Sequence, residues 1–307
     1  MSAGWVAAQV RSRGLVAHCI GAAGAREVAN AGSLDGALAF LATTGYGDRL
    51  HPGLDLAASE RAVFATVLWY LRVLAGWSPP LGASRLHVLA GTFELANLRA
   101  ELARLEGRDA PEPYELGSLG SVARHRAPSS SGELREALKR TPWGDPGTAD
   151  AGEQSVALQF SLIRRIVENV PEARGWAETY AALAMARVVM ANVSIEPDSV
   201  AGTNVRAVLG SRALAAKSLA DLARALPSDV SPALDGVTGP LDLWAGEARW
   251  WGRLWCEALE KVRRGRAEPA TVVAAVAAQG ADAWRARVAL EVAARGGQGI
   301  EVLDAMA

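Results

Sequence analysis

Apolar residues recur along this chain at spacings of three and four, not two. From Leu56 to Ala75 they crowd nearly every position, and between Ala62 and Leu71 they leave almost no polar face. In the next segment, Gly82 to Glu106, Leu86, Leu89, Phe93 and Ala96 form one stripe and Leu95, Leu98, Leu102 and Leu105 a second. Val156, Phe160, Ile163 and Val167 repeat the spacing farther on. That period is the signature of an amphipathic helix, and adjoining stripes widen the face that must be buried. No run alternates apolar with polar residues as a strand would, so the fold class expected is all-α, with almost no sheet.

Punctuation residues divide the pattern. A first helix begins near Trp5. His51-Pro52-Gly53 stops regular structure, Gly76 ends the apolar segment, and Pro79-Pro80 turns the corner. Pro171 closes the helix that carries Val167. A long helix is expected from Leu241 to Arg264. Pro269 and Gly296-Gly297 bracket a last helical hairpin, Ala270 to Ala278 and Ala281 to Arg295. Polar stretches near Pro111 to Pro113 and Glu196 to Thr203 read as boundaries, and the serine-rich Arg126 to Gly132 as a loop.

Within this pattern one passage occurs twice. Ser33 is followed eight residues later by Leu41 and then by Thr44-Gly45-Tyr46-Gly47-Asp48; Ser130 is followed by Leu138 and then by Thr141-Pro142-Trp143-Gly144-Asp145, 97 residues on. A weaker copy opens at Ser218, with Leu222, Ala225 and Leu226 at the offsets of Ala37, Phe40 and Leu41. Ala96-Asn97-Leu98 and Ala191-Asn192-Val193, 95 residues apart, supply a second landmark. Recurrence at a near-constant period marks a helical unit used three times, with repeats of roughly 1–113, 114–202 and 203–307 in a single unit of 1–307. Ser130 with Glu133, and Ser218 with Asp221, have the form of helix caps. A motif that recurs with the repeat is expected to serve it: Gly47 and Gly144 permit a left-handed turn, Asp48 and Asp145 close it, and Tyr46 and Trp143 pack it on the core.

Composition narrows the function. Half of the 307 residues are apolar, enough for a large core, and a net charge of −1 argues against a domain built to neutralise phosphates, so nucleic acid is not an expected partner. Cys19 and Cys256 make no disulfide framework and no metal cluster, which suits a reducing cytoplasm. No signal peptide opens the chain, and no apolar run approaches the roughly 20 residues of a membrane span.

Candidate chemistry is sparse. His18, His51, His87 and His125 have neither metal-ligand spacing nor a Ser-His-Asp order, no Gly-rich phosphate loop is present, and the carboxylates are scattered. No catalytic residue, cofactor or metal is therefore expected. Trp244, Trp251 and Trp255 share a helical face and are expected in the core; Trp250 points elsewhere and, with Arg249 and Arg253 beside it, composes a contact surface of the kind that concentrates binding energy. The basic run Lys261 to Arg266 closes that helix, where the dipole favours cations.

The threefold pattern, the opening Trp5-Val6-Ala7-Ala8-Gln9-Val10-Arg11-Ser12-Arg13-Gly14-Leu15, the turn Leu41-Ala42-Thr43-Thr44-Gly45-Tyr46-Gly47 and the arm Phe93-Glu94-Leu95-Ala96-Asn97-Leu98-Arg99 together resemble one family of V-type and A-type rotary ATPase components, the d-subunits or C-subunits that form the central-stalk socket. The likeness covers the whole chain. It departs at Trp5, where the family has tyrosine, at Gln9, where it has arginine, and at Asn192-Val193-Ser194, which lacks the basic residue kept as Arg99. The resemblance implies a funnel of three pseudo-symmetric helical units, seated on the membrane proteolipid ring and receiving the central stalk. It implies a non-catalytic rotor component that couples the two for ion transport, with the proton as the expected ion, cytoplasmic and peripheral to the membrane through the complex. Arg11, Arg13, Trp250 and Arg253 are the residues expected to touch partners. The alternative is a free-standing helical-repeat adaptor or regulator that binds a protein in its concave face.

Overall fold

The computed structural model describes residues 3–122 and 128–304, and every regular element among them is helical. In chain order the α-helices are α1 (Ala3–Val16), α2 (Gly21–Ala29), α3 (Leu34–Leu41), α4 (Leu56–Trp77), α5 (Pro80–Leu105), α6 (Ser131–Leu138), α7 (Ala151–Asn169), α8 (Arg174–Met190), α9 (Val200–Leu209), α10 (Ser211–Leu214), α11 (Leu219–Ala225), α12 (Leu243–Arg264), α13 (Pro269–Ala294) and α14 (Glu301–Asp304). They gather into two compact units. Residues 1–86 and 244–307 make the first, and residues 87–243 the second.

The first unit is organised by α13, against which α1, α2, α3 and α4 pack. Its sequence explains this role. Alanine fills 11 of its 26 positions, so four neighbours can approach closely, and Val272, Val273, Ala283, Leu290 and Val292 are buried on successive faces. A helix surrounded in this way must be apolar nearly all round. Pro269 occupies its first turn, where a missing N–H costs nothing, and Gly296 and Gly297 follow its end with positive φ.

One continuous α13 replaces the hairpin expected over 270–295. Gly280 has the look of a break, yet a single glycine costs a helix interior only about 1 kcal/mol, and burial on every side of α13 outweighs that. A Cβ at this position would meet the Trp251 ring at 3.8 Å, an ordinary contact, so nothing about the glycine forces a bend. Likewise α4 runs past Gly76 to Trp77.

In the second unit α7 packs on α8 and α9, burying Phe160, Leu162, Ile163 and Val167 as its period requires. Ser130, Ser199 and Ser218 each accept a backbone N–H at a helix start, from Glu133, Gly202 and Asp221. Glu133 returns its carboxylate to the N–H of Ser129, one residue before the cap. Ser131 and Gly132 are therefore helical instead of loop; residues 126 and 127 of that segment, and His125, lie outside the described residues. The boundary expected to reach Thr203 closes at Ser199, where α9 begins.

The second repeat landmark fails. Asn97 lies inside α5 and is buried, whereas Asn192 follows the end of α8 with φ of +52°. An asparagine tolerates the left-handed position that ends a helix, so the two share a sequence neighbourhood and no structural place. Ala96, assigned to the core stripe of α5, is exposed, because the packed stripe runs through Phe93, Asn97 and Leu98.

Candidate functional site

The two Thr-x-aromatic-Gly-Asp turns have the same local geometry. Thr44 Oγ1 donates to the carbonyl of Leu41 (2.7 Å) and accepts from the N–H of Tyr46 (3.3 Å). Thr141 Oγ1 does the same with Leu138 (2.7 Å) and Trp143 (3.2 Å). The threonine thus ends the preceding helix and aims the aromatic ring inward, where Tyr46 and Trp143 are both buried. The glycines work differently from each other. Gly144 has φ of +69°, but Gly47 is not left-handed: an added Cβ would stand 2.2 Å from the carbonyl oxygen of Ala42.

Each ring carries a polar tip, and each tip meets a buried carboxylate. Tyr46 Oη donates to Asp282 Oδ2 (2.9 Å), and Trp143 Nε1 donates to Glu94 Oε2 (2.8 Å). A buried hydroxyl or indole N–H must find an acceptor, and an ionised one gives the stronger bond. Nothing in the sequence pattern had singled out these carboxylates.

Asp282 has no exposed surface. Its two oxygens also accept the N–H groups of Ile20 (3.0 Å) and Gly21 (2.8 Å) at the start of α2, and Arg285 Nη1 stands 3.9 Å away. One turn earlier on α13, Gln279 donates to the carbonyl of Leu15 near the end of α1 (2.6 Å). Gln279 and Asp282 therefore clamp both ends of the α1–α2 connection. Burial raises the Asp282 pKa, against the opposing effect of its hydrogen bonds and of Arg285. The thiol of Cys19 and the phenol of Tyr46 are pushed up, by burial first and by the Asp282 charge next. The Arg285 guanidinium lies over the Trp255 ring, 4.9 Å from its centroid.

Glu94, on α5, accepts from the N–H and hydroxyl of Ser121 (2.6 and 2.5 Å) and from the N–H of Val122 (2.8 Å) in addition to Trp143. Three residues along, Asn97 both donates to the carbonyl of Tyr114 (2.9 Å) and accepts its N–H (2.6 Å). Together they pin the segment after α5. Arg165 stands 5.1 Å from the Trp143 ring centroid. At the end of the turn Asp145 is gripped by Arg135 through two bonds (2.6 and 3.0 Å) and accepts from Gly147 N–H, which holds its carboxyl well below the usual range. Asp48 is exposed, so only the second aspartate closes its turn in this way.

The four residues expected to touch partners lie in the first unit, in different settings. Arg11 places its guanidinium 3.4 Å from the Trp77 ring centroid. Arg13 donates to the carbonyls of Val262, Arg263 and Gly265, and Gln9 donates to Gly265 (2.7 Å), so α1 caps the C-terminus of α12. Arg253 is exposed, and Trp250 is half-buried with its ring edge against Trp251. Arg253 precedes the turn held by Arg13 by about ten residues, or ~15 Å of helix, so the four do not converge on one point. Of the other tryptophans Trp251 stacks on Trp284, whereas Trp244, assigned to the core, is 46% exposed at the first turn of α12. A shared helical face does not bury a residue that lies beyond the neighbouring elements.

Among the described residues no three His, Cys, Asp or Glu side chains stand where they could hold a metal ion, and no helix is long and apolar enough to cross a membrane. Compared with known proteins, the chain matches no family model and no curated protein.

Proposed function

We propose that this chain is a non-catalytic rotor component of a V- or A-type rotary ATPase, joining the central stalk to the proteolipid ring in proton transport. In this reading three pseudo-symmetric units form a funnel on the cytoplasmic side of the membrane, held there by the complex. The observation that carries it is the duplicated turn. Two copies of one sequence passage adopt one hydrogen-bond pattern within an all-helical chain, and the same passage bears part of the family resemblance. A coupling piece must resist shear, and close-packed helices whose loops are fastened by charge-assisted bonds in a low-dielectric interior are stiff.

Affinity purification of the tagged chain from native membranes tests the proposal. Stalk, head and proteolipid components should accompany it; recovery alone, or with an unrelated protein bound as by a free-standing adaptor, overturns it. Arg253→Glu and Trp250→Glu should weaken that assembly with the fold intact. Arg13→Glu is a poorer probe, since it also removes the cap on α12.

A further inference from the structure

Arg99 has no carboxylate partner among the described residues. It projects from α5, half-buried, with Nε donating to Ser155 Oγ (3.1 Å) and Nη2 to Gln159 Oε1 (2.6 Å), both on α7. The Gln159 amide is in turn 3.5 Å from the hydroxyl of Tyr180 on α8. Burial works against the Arg99 charge; Tyr180 offsets part of this, and the nearby charge of Arg187, also on α8, adds to it. A cation placed among neutral groups and beside a second cation is costly, and two other partly buried arginines of this chain have acids: Arg135 has Asp145, and Arg287 has Glu60 and Glu291.

The geometry shows what the arrangement leaves available. A guanidinium offers two parallel-donor edges. Ser155 and Gln159, one helical turn apart on the same face of α7, occupy the Nε–Nη2 edge and fix the plane. The end-on edge, Nη1 with the second N–H of Nη2, has no acceptor among the described residues. Such an edge matches two oxygens of one carboxylate or phosphate group.

We propose that Arg99 is the recognition group of an oxyanion-binding site on the second unit, with Ser155 and Gln159 as positioning residues and Arg187 adding to the positive field. The ligand is a single carboxylate or phosphate group, supplied either as a free ion or as a side chain of a docked protein. This site is independent of the rotary assignment, since it concerns the isolated chain.

The test is a titration of the full-length protein, followed by the side-chain ¹⁵Nε–H resonance of Arg99, with phosphate and with acetate in parallel and chloride holding the ionic strength constant. Saturable shifts are expected, with a dissociation constant on the order of 10 mM for a bidentate charge-assisted pair. Binding followed through the other resonances that shift should weaken at least about fivefold in Arg99→Gln. Arg99→Lys should fall between, because it keeps the charge and loses the fork. Arg253→Gln should bind as the wild type does. Saturation by phosphate alone supports a free-phosphate ligand, and equal saturation by acetate supports a carboxylate side chain. Shifts that do not saturate, or an Arg99→Gln protein that keeps a wild-type thermal midpoint and binds anions undiminished, overturn the proposal and leave Arg99 as a tie between α5 and α7.

Discussion

The turns at Tyr46 and Trp143 share their backbone geometry and differ in what fastens them. The first is hooked by an aspartate 236 residues away, deep in the most enclosed helix of its unit, and that carboxylate also holds the start of α2 beside a buried arginine. The second is hooked by a glutamate 49 residues away, whose other donors, Ser121 and Val122, are only half-buried. Two loops of one local geometry thus each carry a polar aromatic tip, and the acceptor comes from an unrelated position each time. What repeats is the demand for an acceptor, because an unpaired buried donor costs about 1–3 kcal/mol wherever it lies.

The largest test of this contrast removes the acceptors. Asp282→Ala should cost about 3–5 kcal/mol by urea unfolding, since it orphans three donors and removes the carboxylate beside the buried Arg285. Glu94→Ala should cost about 1–3 kcal/mol, because water can reach the amides it abandons. The reverse order would show that the first site is no more enclosed than the second. Tyr46→Phe and Trp143→Phe come next, each expected to lose about 1–2 kcal/mol through the lost hydrogen bond, with the tryptophan change larger for the volume it empties.

Acid should separate the turns by sign. The folded-state pKa of Asp282 is raised, so the folded protein binds that proton more tightly than the unfolded chain. Wild-type stability relative to Asp282→Asn should therefore improve as pH falls from the raised value toward the unfolded one near ~3.9. Asp145 is depressed, so its contribution is complete above ~3.9 and fades as pH falls through its lower folded value; the wild-type advantage over Asp145→Asn should shrink there. Denaturation curves collected from pH 7 to pH 3 decide it, and parallel trends would refute the contrast. The smallest effect concerns thiols. Exposed Cys256 should react with a maleimide quickly while Cys19, held protonated beside Asp282, reacts slowly until Asp282→Ala opens the site. Equal native rates for the two would mean the first site is open.

Much of the helical plan was legible, since period, caps and turn residues are local. Ser33, Ser130 and Ser218 act where their spacing placed them. The carboxylate anchors were not legible, because an acid inside a helical segment ordinarily marks its solvated side. For Asp282 a signal existed: it is the sole acid between Pro269 and Leu290, amid alanines that are themselves buried, with Gln279 and Arg285 one turn to either side. Gly280 misled for a complementary reason. Glycine's preference for turns is a local property, whereas the four helices that hold α13 straight come from distant parts of the chain.

The long separation between Tyr46 and Asp282 imposes a schedule on biosynthesis. At roughly 5–20 residues per second, the ribosome needs about 10–50 s after making the tyrosine to make its acceptor. For that interval α1 to α4 are without the helix they surround, whereas residues 87–243 are already complete. The nascent amino-terminal third is thus obliged to wait, and a cell making this protein must keep those greasy surfaces from mispairing until the last helices emerge.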